Sequence, residues 1–223
     1  MNAYFITGTG TDIGKTWLSC ALLKHWREAG LTTRAYKPVF SGYTDSDAAS
    51  DAGALLTAQG INVDANTVDE IAPWRFAAPL SPDMAAAREG RAIDFTELVA
   101  FTQRRVTSTN SQVDRSIVEG VGGVMVPLND THTVRDWIAA SALPCVLVTG
   151  SYLGSLSHTL SALAALREVK VEVKAIAVNE SLASSVTLAD TIASLQRHAD
   201  KLPVIGIRRE MPASGIARLA AML

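Results

Sequence analysis

The segment Gly8-Thr9-Gly10-Thr11-Asp12-Ile13-Gly14-Lys15-Thr16 decides the fold of this chain. It follows a short apolar run, Tyr4–Thr7, and precedes a stretch in which Leu18, Leu22 and Trp26 recur every four residues. The run predicts a buried strand, and the four-residue spacing predicts an amphipathic helix. The glycine-rich segment is therefore expected at a strand–helix junction.

Each residue type in this segment answers a physical need of phosphate binding. Glycines let backbone N–H groups converge on one point, where the helix N-terminus adds partial positive charge. Lys15 supplies a full charge for the β- and γ-phosphates of a nucleotide, and the Thr16 hydroxyl is placed to ligate Mg²⁺. The generic pattern has glycine five places before Gly14, but this chain has Thr9 there and Gly8 one place further out. The sequence predicts a P-loop lengthened by one residue.

A second constellation supports a metal–nucleotide site. Ser116–Glu119 is an apolar strand that ends in a carboxylate, and the glycine-rich turn Gly120-Val121-Gly122-Gly123 follows it. In P-loop proteins an acidic residue at such a strand end helps to hold the metal. Glu119 alone is equally typical of a plain strand-end charge, but beside a P-loop the metal role is the better interpretation.

Strand patterns alternate with helical patterns along the whole chain. The apolar runs are Tyr4–Thr7, Thr33–Val39, Ser116–Glu119, Pro144–Thr149, Lys174–Asn179 and Pro203–Ile207. Most are apolar almost throughout, as strands buried on both faces are. We predict an α/β fold, in which one doubly wound, mostly parallel sheet carries helices on both faces within a single domain of residues 1–223. Ser41–Asp51 and Ala72–Arg91 are predicted to be loops.

The composition excludes several classes of function. The 223 residues are 48% apolar and 19% charged, with a net charge of −2, and the basic residues are scattered. No nucleic-acid partner is expected, since such proteins carry a basic excess or stripe. Apolar runs stay below the roughly 18 residues of a membrane span, and no signal peptide opens the chain, so we expect a cytoplasmic protein without membrane contact. Cys20 and Cys145 are expected to be reduced and buried.

Five motifs together resemble those of the dethiobiotin synthetase family. They are Gly8-Thr9-x-Thr11-Asp12-x-Gly14-Lys15-Thr16, Tyr36-Lys37-Pro38-Val39-x-Ser41-Gly42, Ser50-Asp51-Ala52, Glu119-Gly120-x-Gly122-Gly123 and Leu153-Gly154. They occur in family order and span most of the chain. The resemblance implies a homodimeric enzyme of biotin biosynthesis that converts 7,8-diaminopelargonate, CO2 and ATP into dethiobiotin, ADP and phosphate. One substrate amine becomes a carbamate, the carbamate is phosphorylated by ATP, and the second amine closes the ring and expels phosphate.

The resemblance also implies which residues bind the nucleotide, which hold the metal and which are catalytic. The nucleotide-binding residues would be Asp12, Ile13, Gly14, Lys15, Thr16, Trp17, Asp51, Glu119, Gly120, Val121, Gly122 and Asn179. Thr16, Asp51 and Glu119 would hold Mg²⁺, because a hydroxyl and two carboxylates are the hard oxygen ligands it prefers. Lys15 and Lys37 would be the catalytic cations flanking the transferred phosphoryl group, where an anionic carbamate must approach an anionic phosphate.

The implied substrate site is shared between two subunits. In one subunit the substrate-binding residues would be Thr11, Asp12, Lys37 and Ser41. The turn Gly154-Ser155-Leu156 of the partner subunit would begin a helix and bind the substrate carboxylate through free backbone N–H groups. Asp12 would contact a substrate amine, although a carboxylate there also stabilises a helix N-terminus.

Some positions depart from the family pattern. Tyr152 stands where many members carry lysine, and Ser157 stands where they carry asparagine before His158. Asn179 matches the residue that reads the adenine edge. Arg208-Arg209 lies where proline is usual, so the wall that binds the base is altered.

Sequence alone leaves plainer interpretations open for several residues. Lys37 before a proline is also typical of a solvated strand end. Thr11 and Ser41 are also ordinary turn residues. Asp47 stands in the same acidic loop as Asp51 and is its rival as a metal ligand.

Two other functions share the P-loop. A dimeric ATPase switch of the chromosome-partitioning class would carry a second lysine early in the loop, where Thr9-Gly10-Thr11 has none. The tail Ser214–Leu223 has only Arg218 charged and predicts no basic membrane helix. A paralogous synthetase that acts on another amine remains an alternative.

Overall fold

The computed structural model describes residues 2–44, 50–107 and 113–223. Its strands are β1 (Ala3–Gly8), β2 (Thr33–Tyr36), β3 (Val39–Ser41), β4 (Trp74–Phe76), β5 (Arg115–Glu119), β6 (Cys145–Gly150), β7 (Val173–Asn179) and β8 (Val204–Ile207). Its helices are α1 (Lys15–Glu28), α2 (Asp51–Gln59), α3 (Ala65–Ile71), α4 (Pro82–Arg88), α5 (Phe95–Thr107), α6 (Val134–Ser141), α7 (Ser155–Glu168), α8 (Leu188–His198) and α9 (Ala213–Ala220). Each predicted apolar run overlaps a strand.

Six strands form one parallel sheet in the order β2-β5-β1-β6-β7-β8. The chain leaves β1 toward β2 on one side and later returns to build β6, β7 and β8 on the other. Right-handed crossovers in the two directions place helices on opposite faces. Accordingly, α1 packs on α2 and α9, whereas α5 packs on α6 and α7 packs on α8. The predicted α/β fold with a doubly wound parallel sheet is confirmed.

Strand β1 lies at the centre of the buried core. All six of its residues and all six of β6 are buried, as their nearly continuous apolar sequences require. Phe5 of β1 meets Trp137 of α6 edge to face, with ring centroids 4.7 Å apart. The Trp137 indole N–H donates to the Thr102 hydroxyl of α5 at 2.9 Å, which satisfies the one polar atom of this buried ring.

The predicted strand Thr33–Val39 is interrupted. It leaves the main sheet after Tyr36, and a separate strand, β3, begins at Val39. Pro38 has no N–H to continue the pairing, and its carbonyl instead accepts from the Trp74 N–H at 3.0 Å. The Lys37 N–H donates to the Ile71 carbonyl at 3.0 Å, so Lys37 is fixed just beyond the sheet edge.

The prediction that Ala72–Arg91 forms a loop is wrong. This stretch contains β4, which pairs in parallel with β3, and α4, which begins at Pro82. Proline is compatible with the first turn of a helix, so here it marks a helix start.

The other predicted loop, Ser41–Asp51, ends at the start of α2. The Ser50 hydroxyl accepts from the Gly53 N–H at 3.1 Å and caps this helix. Residues 45–49, which include Asp47, lie outside the described residues.

Helices α1 and α7 begin at Lys15 and Ser155, where the sequence predicted a helix after the P-loop and after Gly154. Among the residues the structure describes, no helix combines the length and the apolar character needed to cross a membrane.

Candidate functional site

The candidate site lies where the carboxyl ends of the parallel strands meet. The P-loop follows β1, Glu119 ends the neighbouring strand β5, and Lys37 follows β2 on the far side of β5. The sheet changes winding direction at β1, and ligands of open α/β sheets bind in the crevice at such a point. The fold therefore brings together three motifs that are far apart in the sequence.

The P-loop is held by contacts from both sides, one from the end of β7 and one from the segment that follows β5. Gly14 has φ +86°, and a Cβ there would lie 2.7 Å from the Asn179 side-chain nitrogen, so glycine is needed for both backbone and space. Asn179 Nδ2, at the end of β7, donates to the Ile13 carbonyl at 2.7 Å. From the other side, the Val124 N–H donates to the Gly8 carbonyl at 3.0 Å. These contacts fix the shape of the loop.

Lys15 lies over this loop and is buried, with 7% of the residue exposed. Its ammonium donates to the Gly10 carbonyl at 2.7 Å. Burial lowers the pKa of the Lys15 ammonium to about 8, helped by repulsion from Lys37 and opposed by nearby carboxylates. Lys15 is therefore a poorly solvated cation that an anion would stabilise.

A compact polar network joins the second half of the site. The buried Lys37 ammonium lies 2.6 Å from Glu119 Oε1 and 3.0 Å from Asp51 Oδ2. The Thr16 hydroxyl donates to the same Glu119 oxygen at 2.6 Å. Glu119 is completely buried, whereas the Asp51 side chain is 42% exposed. The plainer interpretation of Lys37 as a solvated strand-end residue is wrong, because its partners lie in other motifs.

The electrostatics of this network follow from burial and pairing. Burial disfavours the Lys37 charge, but attraction to Glu119 and Asp51 outweighs it and raises the pKa of the lysine. Burial also disfavours the Asp51 charge, but Lys37 outweighs it and holds the pKa of this carboxyl below its usual range. Lys37 and Asp51 are therefore both charged at neutral pH.

The oxygens at this point suit a magnesium ion. Glu119 Oε2 is buried without a hydrogen-bond partner among the described residues, although buried carboxylate oxygens are normally paired. The Thr16 hydroxyl and the Asp51 carboxylate complete a set of hard oxygen donors. In the described parts of the chain, no three acidic, histidine or cysteine side chains are grouped so that they could hold a metal ion by themselves. The set thus fits an ion that keeps water or phosphate ligands, as Mg²⁺ does.

Two cavities flank the P-loop and share part of its wall. The first, of about 620 Å³, is lined by 9–14 and by Trp17, Gly150, Tyr152, His158, Asn179, Glu180, Ser181, Ile207, Arg208 and Arg209. The second, of about 890 Å³, is lined by Thr11, Asp12, Gly14, Lys15, Thr16, Trp17, Lys37, Phe40, Ser41, Gly42, Ser50, Asp51, Pro79, Leu80, Ser81, Pro82, Val121, Gly122 and Val126. Thr11, Asp12, Gly14 and Trp17 belong to both.

Most of the predicted site residues line one of these cavities, but some do not. Ile13 and Asn179 line the first cavity. Lys15, Thr16, Lys37, Ser41, Asp51, Val121 and Gly122 line the second. Glu119 lies beneath the second cavity, joined to it through Thr16 and Lys37. Gly120 packs on the Phe5 ring and lines neither cavity, and the turn Gly154-Ser155-Leu156 also lies outside both.

Several lining residues were not among the predicted site residues. The apolar wall of the second cavity comes from Phe40, Val126 and the segment Pro79–Pro82. Pro79 and Pro82 are a sequence signal for that wall, but prolines at this spacing predict a loop and not a cavity wall. In the first cavity, the Tyr152 hydroxyl and His158 Nδ1 lie 3.0 Å apart and form a polar pair.

Solved structures of low sequence identity share this fold. The hydrogenase maturation factor HypB from Archaeoglobus fulgidus aligns with a TM-score of 0.60 at 12% identity, over 100% of this chain and 90% of that one. The MinC:MinD cell division protein complex of Aquifex aeolicus aligns with a TM-score of 0.56 at 12% identity, over 98% and 86%. At such identities the likeness concerns the fold alone.

Sequence relatives are far more similar. A family model described as an AAA domain matches residues 2–213. ATP-dependent dethiobiotin synthetase BioD of Acidiphilium cryptum is 48% identical over 205 residues, covering 91% of each chain. The protein of the same name from Escherichia coli K12 is 41% identical over 160 residues, covering 70% of this chain and 68% of that one. The chain belongs to the dethiobiotin synthetase family.

Proposed function

We propose that this protein is an ATP-dependent cyclo-ligase that makes dethiobiotin from 7,8-diaminopelargonate and CO2, as a cytoplasmic homodimer built from one domain of residues 1–223. The observation that carries the proposal is the convergence of Lys15, Lys37 and Thr16 on one cavity above the buried Glu119. A P-loop alone would support only nucleotide binding. Two lysines on the wall of one cavity suit a reaction between two anions.

The proposed reaction has three steps. One substrate amine attacks CO2, forms an N–C bond and loses a proton, which gives a carbamate. A carbamate oxygen then attacks the γ-phosphorus of ATP, the bond to the β-phosphate oxygen breaks, and ADP leaves. The second amine attacks the carbamate carbon, loses its proton and expels inorganic phosphate, which closes the ring. Positioning and charge stabilisation supply most of the catalysis in such phosphoryl transfers.

The cations of the site are assigned to this chemistry. Lys15 reaches over the P-loop and would stabilise the β- and γ-phosphates. Lys37 lies across the second cavity and would neutralise the carbamate and the transferred group. Thr16, Asp51 and Glu119 would hold Mg²⁺, which neutralises charge on the phosphate oxygens when it is bound.

The second cavity fits a molecule with polar amines and an alkyl chain. Thr11, Asp12 and Ser41 offer hydroxyl and carboxylate groups suited to amines. Phe40, Val126 and the wall Pro79–Pro82 offer apolar surface for the chain of carbon atoms. Diaminopelargonate combines both features, so this cavity is assigned to it.

A second subunit would complete the substrate site. Helix α7 begins after Gly154, which has φ +98° and no side chain to cap the first turn. The Ser155 N–H donates to the Tyr152 carbonyl at 2.9 Å, and no side chain of the described segments caps the helix N-terminus that follows. The partial positive charge of this N-terminus suits a carboxylate, yet the turn lies outside both cavities of its own chain. Leu153 beside it is 82% exposed, which suits a surface covered by another subunit. We assign the substrate carboxylate to this turn of the partner subunit.

The first cavity is assigned to the nucleoside. Asn179 uses its nitrogen to hold the P-loop, and its Oδ1 is buried without a partner among the described residues. That oxygen would accept from the exocyclic amine of adenine. Arg208 and Arg209 lie exposed on the same cavity wall, and the Arg209 backbone N–H donates to Glu180 at 2.9 Å.

The proposal is tested by measuring phosphate release in the complete reaction mixture and in mixtures that each lack one component. Release from ATP and Mg²⁺ is expected to require both diaminopelargonate and bicarbonate, with dethiobiotin formed in equal amount. A paralogous synthetase would release phosphate with another amine and not with diaminopelargonate. A switch-type ATPase would hydrolyse ATP at a rate that neither addition changes, and that result would reject the synthetase assignment.

Nucleotide binding is expected to take up a proton at alkaline pH. Because burial lowers the pKa of Lys15 to about 8 in the nucleotide-free protein, most molecules carry a neutral Lys15 amine at pH 9. The triphosphate favours the charged form, so binding should take up about one proton at pH 9 and far less at pH 7. Affinity should accordingly fall as the pH rises through 8. Calorimetry in buffers with different ionisation enthalpies measures the uptake.

Lys15→Arg is the matched control, because a guanidinium stays protonated at both pH values. Its proton uptake at pH 9 should be close to zero. An uptake equal to that of the wild-type protein would assign the proton to another group.

A further inference from the structure

The ammonium of Lys37 lies on the two carboxylates that the proposed function assigns to Mg²⁺. It is 2.6 Å from Glu119 Oε1 and 3.0 Å from Asp51 Oδ2. Glu119 is completely buried, so its charge needs a cation in contact with it. Lys15, the other cation of the cavity, donates to the Gly10 carbonyl. In this arrangement Lys37 is the counter-ion of the site.

We propose that Lys37 and Mg²⁺ compete for Asp51 and Glu119, and that arrival of Mg²⁺ with the nucleotide releases the Lys37 ammonium into the second cavity. The inference rests on the metal site of the proposed function. It gives Lys37 two positions, one as a counter-ion and one beside the reacting groups.

The distribution of hydrogen bonds around Glu119 supports this exchange. Oε1 accepts from both Lys37 and Thr16, whereas Oε2 is buried without a partner among the described residues. The carboxylate therefore keeps one buried oxygen for a further cation while Lys37 holds the other. Lys37 also lines the second cavity, and its flexible four-carbon stem allows the charged end to move there.

Charge decides the direction of the effect. An ammonium and a divalent ion on the same pair of carboxylates repel each other, and in a buried site that repulsion is weakly screened. Without nucleotide, Lys37 should therefore keep the metal affinity low. With nucleotide, phosphate oxygens add negative charge and further ligands, so the metal is favoured.

Metal binding to the nucleotide-free protein tests the competition. The probe is Mn²⁺, whose free concentration is followed by electron paramagnetic resonance, with Mg²⁺ as the displacing ion. Lys37→Met and Lys37→Gln are each expected to bind Mn²⁺ about tenfold or more tighter than the wild-type protein. The Gln variant keeps a hydrogen-bond donor for Glu119, so it serves if the Met variant does not fold. Unchanged or weaker binding in the folded variants would overturn the inference.

Lys15→Met is the comparison variant, since it removes a buried charge of the same cavity whose ammonium donates to the Gly10 carbonyl and not to the carboxylates. Its Mn²⁺ affinity should rise by clearly less than that of the Lys37 variants, because repulsion between two charges falls with distance. An equal increase in this variant would assign the effect to net charge and reject the competition.

Asp51→Asn tests the metal site separately. If this variant binds Mn²⁺ with nucleotide as tightly as the wild-type protein does, the proposed set of metal ligands is rejected. If Asp51→Asn weakens Mn²⁺ binding but the Lys37 variants bind Mn²⁺ no more tightly than wild type, the proposed metal ligands are supported and the competition is rejected.

Discussion

Lys15→Met is expected to lower kcat/KM for ATP by about 10³-fold, the effect of losing a preorganised charge in a buried site. The lysine is 7% exposed, and its ammonium lies over the backbone of the P-loop. Within the P-loop, N–H groups would still contact the phosphates, but no full positive charge would remain there. Steady-state kinetics with varied ATP measures the loss.

Lys24→Met is the control for this experiment. Lys24 is an exposed lysine on the same helix, α1, so the change removes an equal charge without touching the loop. Its kcat/KM should stay within about twofold of wild type, since exposed charges are screened by solvent and salt. If both variants lost activity equally, Lys15 would have no special role.

Glu119→Ala is expected to lower the free energy of unfolding by about 3 kcal/mol, because it leaves the buried Lys37 ammonium without its closer partner. The distance from Lys37 Nζ is 2.6 Å to Glu119 and 3.0 Å to Asp51. Loss of the proposed metal ligand should also abolish phosphoryl transfer. Urea unfolding of the nucleotide-free protein measures the first effect, and the dethiobiotin assay measures the second.

Asp51→Ala separates the two effects of the Glu119 change. Asp51 pairs with the same lysine, but its side chain is 42% exposed, so water screens the loss. Its unfolding free energy should fall by less than about 1 kcal/mol, although activity should fall sharply. Equal destabilisation of the two variants would mean that burial does not set the strength of the Lys37 pairs.

The site could be predicted from sequence where its chemistry is local. The P-loop needs glycines, a lysine and a hydroxyl within a few neighbouring residues, so one segment carries the whole pattern. The strand ends that hold Glu119 and Asn179 follow apolar runs long enough to be recognised. Because the carboxyl ends of parallel strands lie at one edge of the sheet, the sequence also predicts that these residues lie near the P-loop.

The remaining features depend on contacts between distant segments. Strand β4 has three residues, too few for any periodicity, and its pairing with β3 joins Val39 to Trp74, which are far apart in the sequence. The pairing of Lys37 with Glu119 joins residues 82 positions apart, and no local pattern encodes it. The metal, substrate and dimer roles taken from the family resemblance stay predictions.

Trp17 stands in the wall that the two cavities share, and it is 45% exposed. Of the four tryptophans in the chain, Trp26 and Trp137 are buried in the core, and Trp74 lies against Phe101. The indole of Trp17 therefore meets whatever fills either side of the loop. The fluorescence emission of Trp17 should therefore change when a ligand enters either cavity, so the order in which two ligands bind can be followed without an added label.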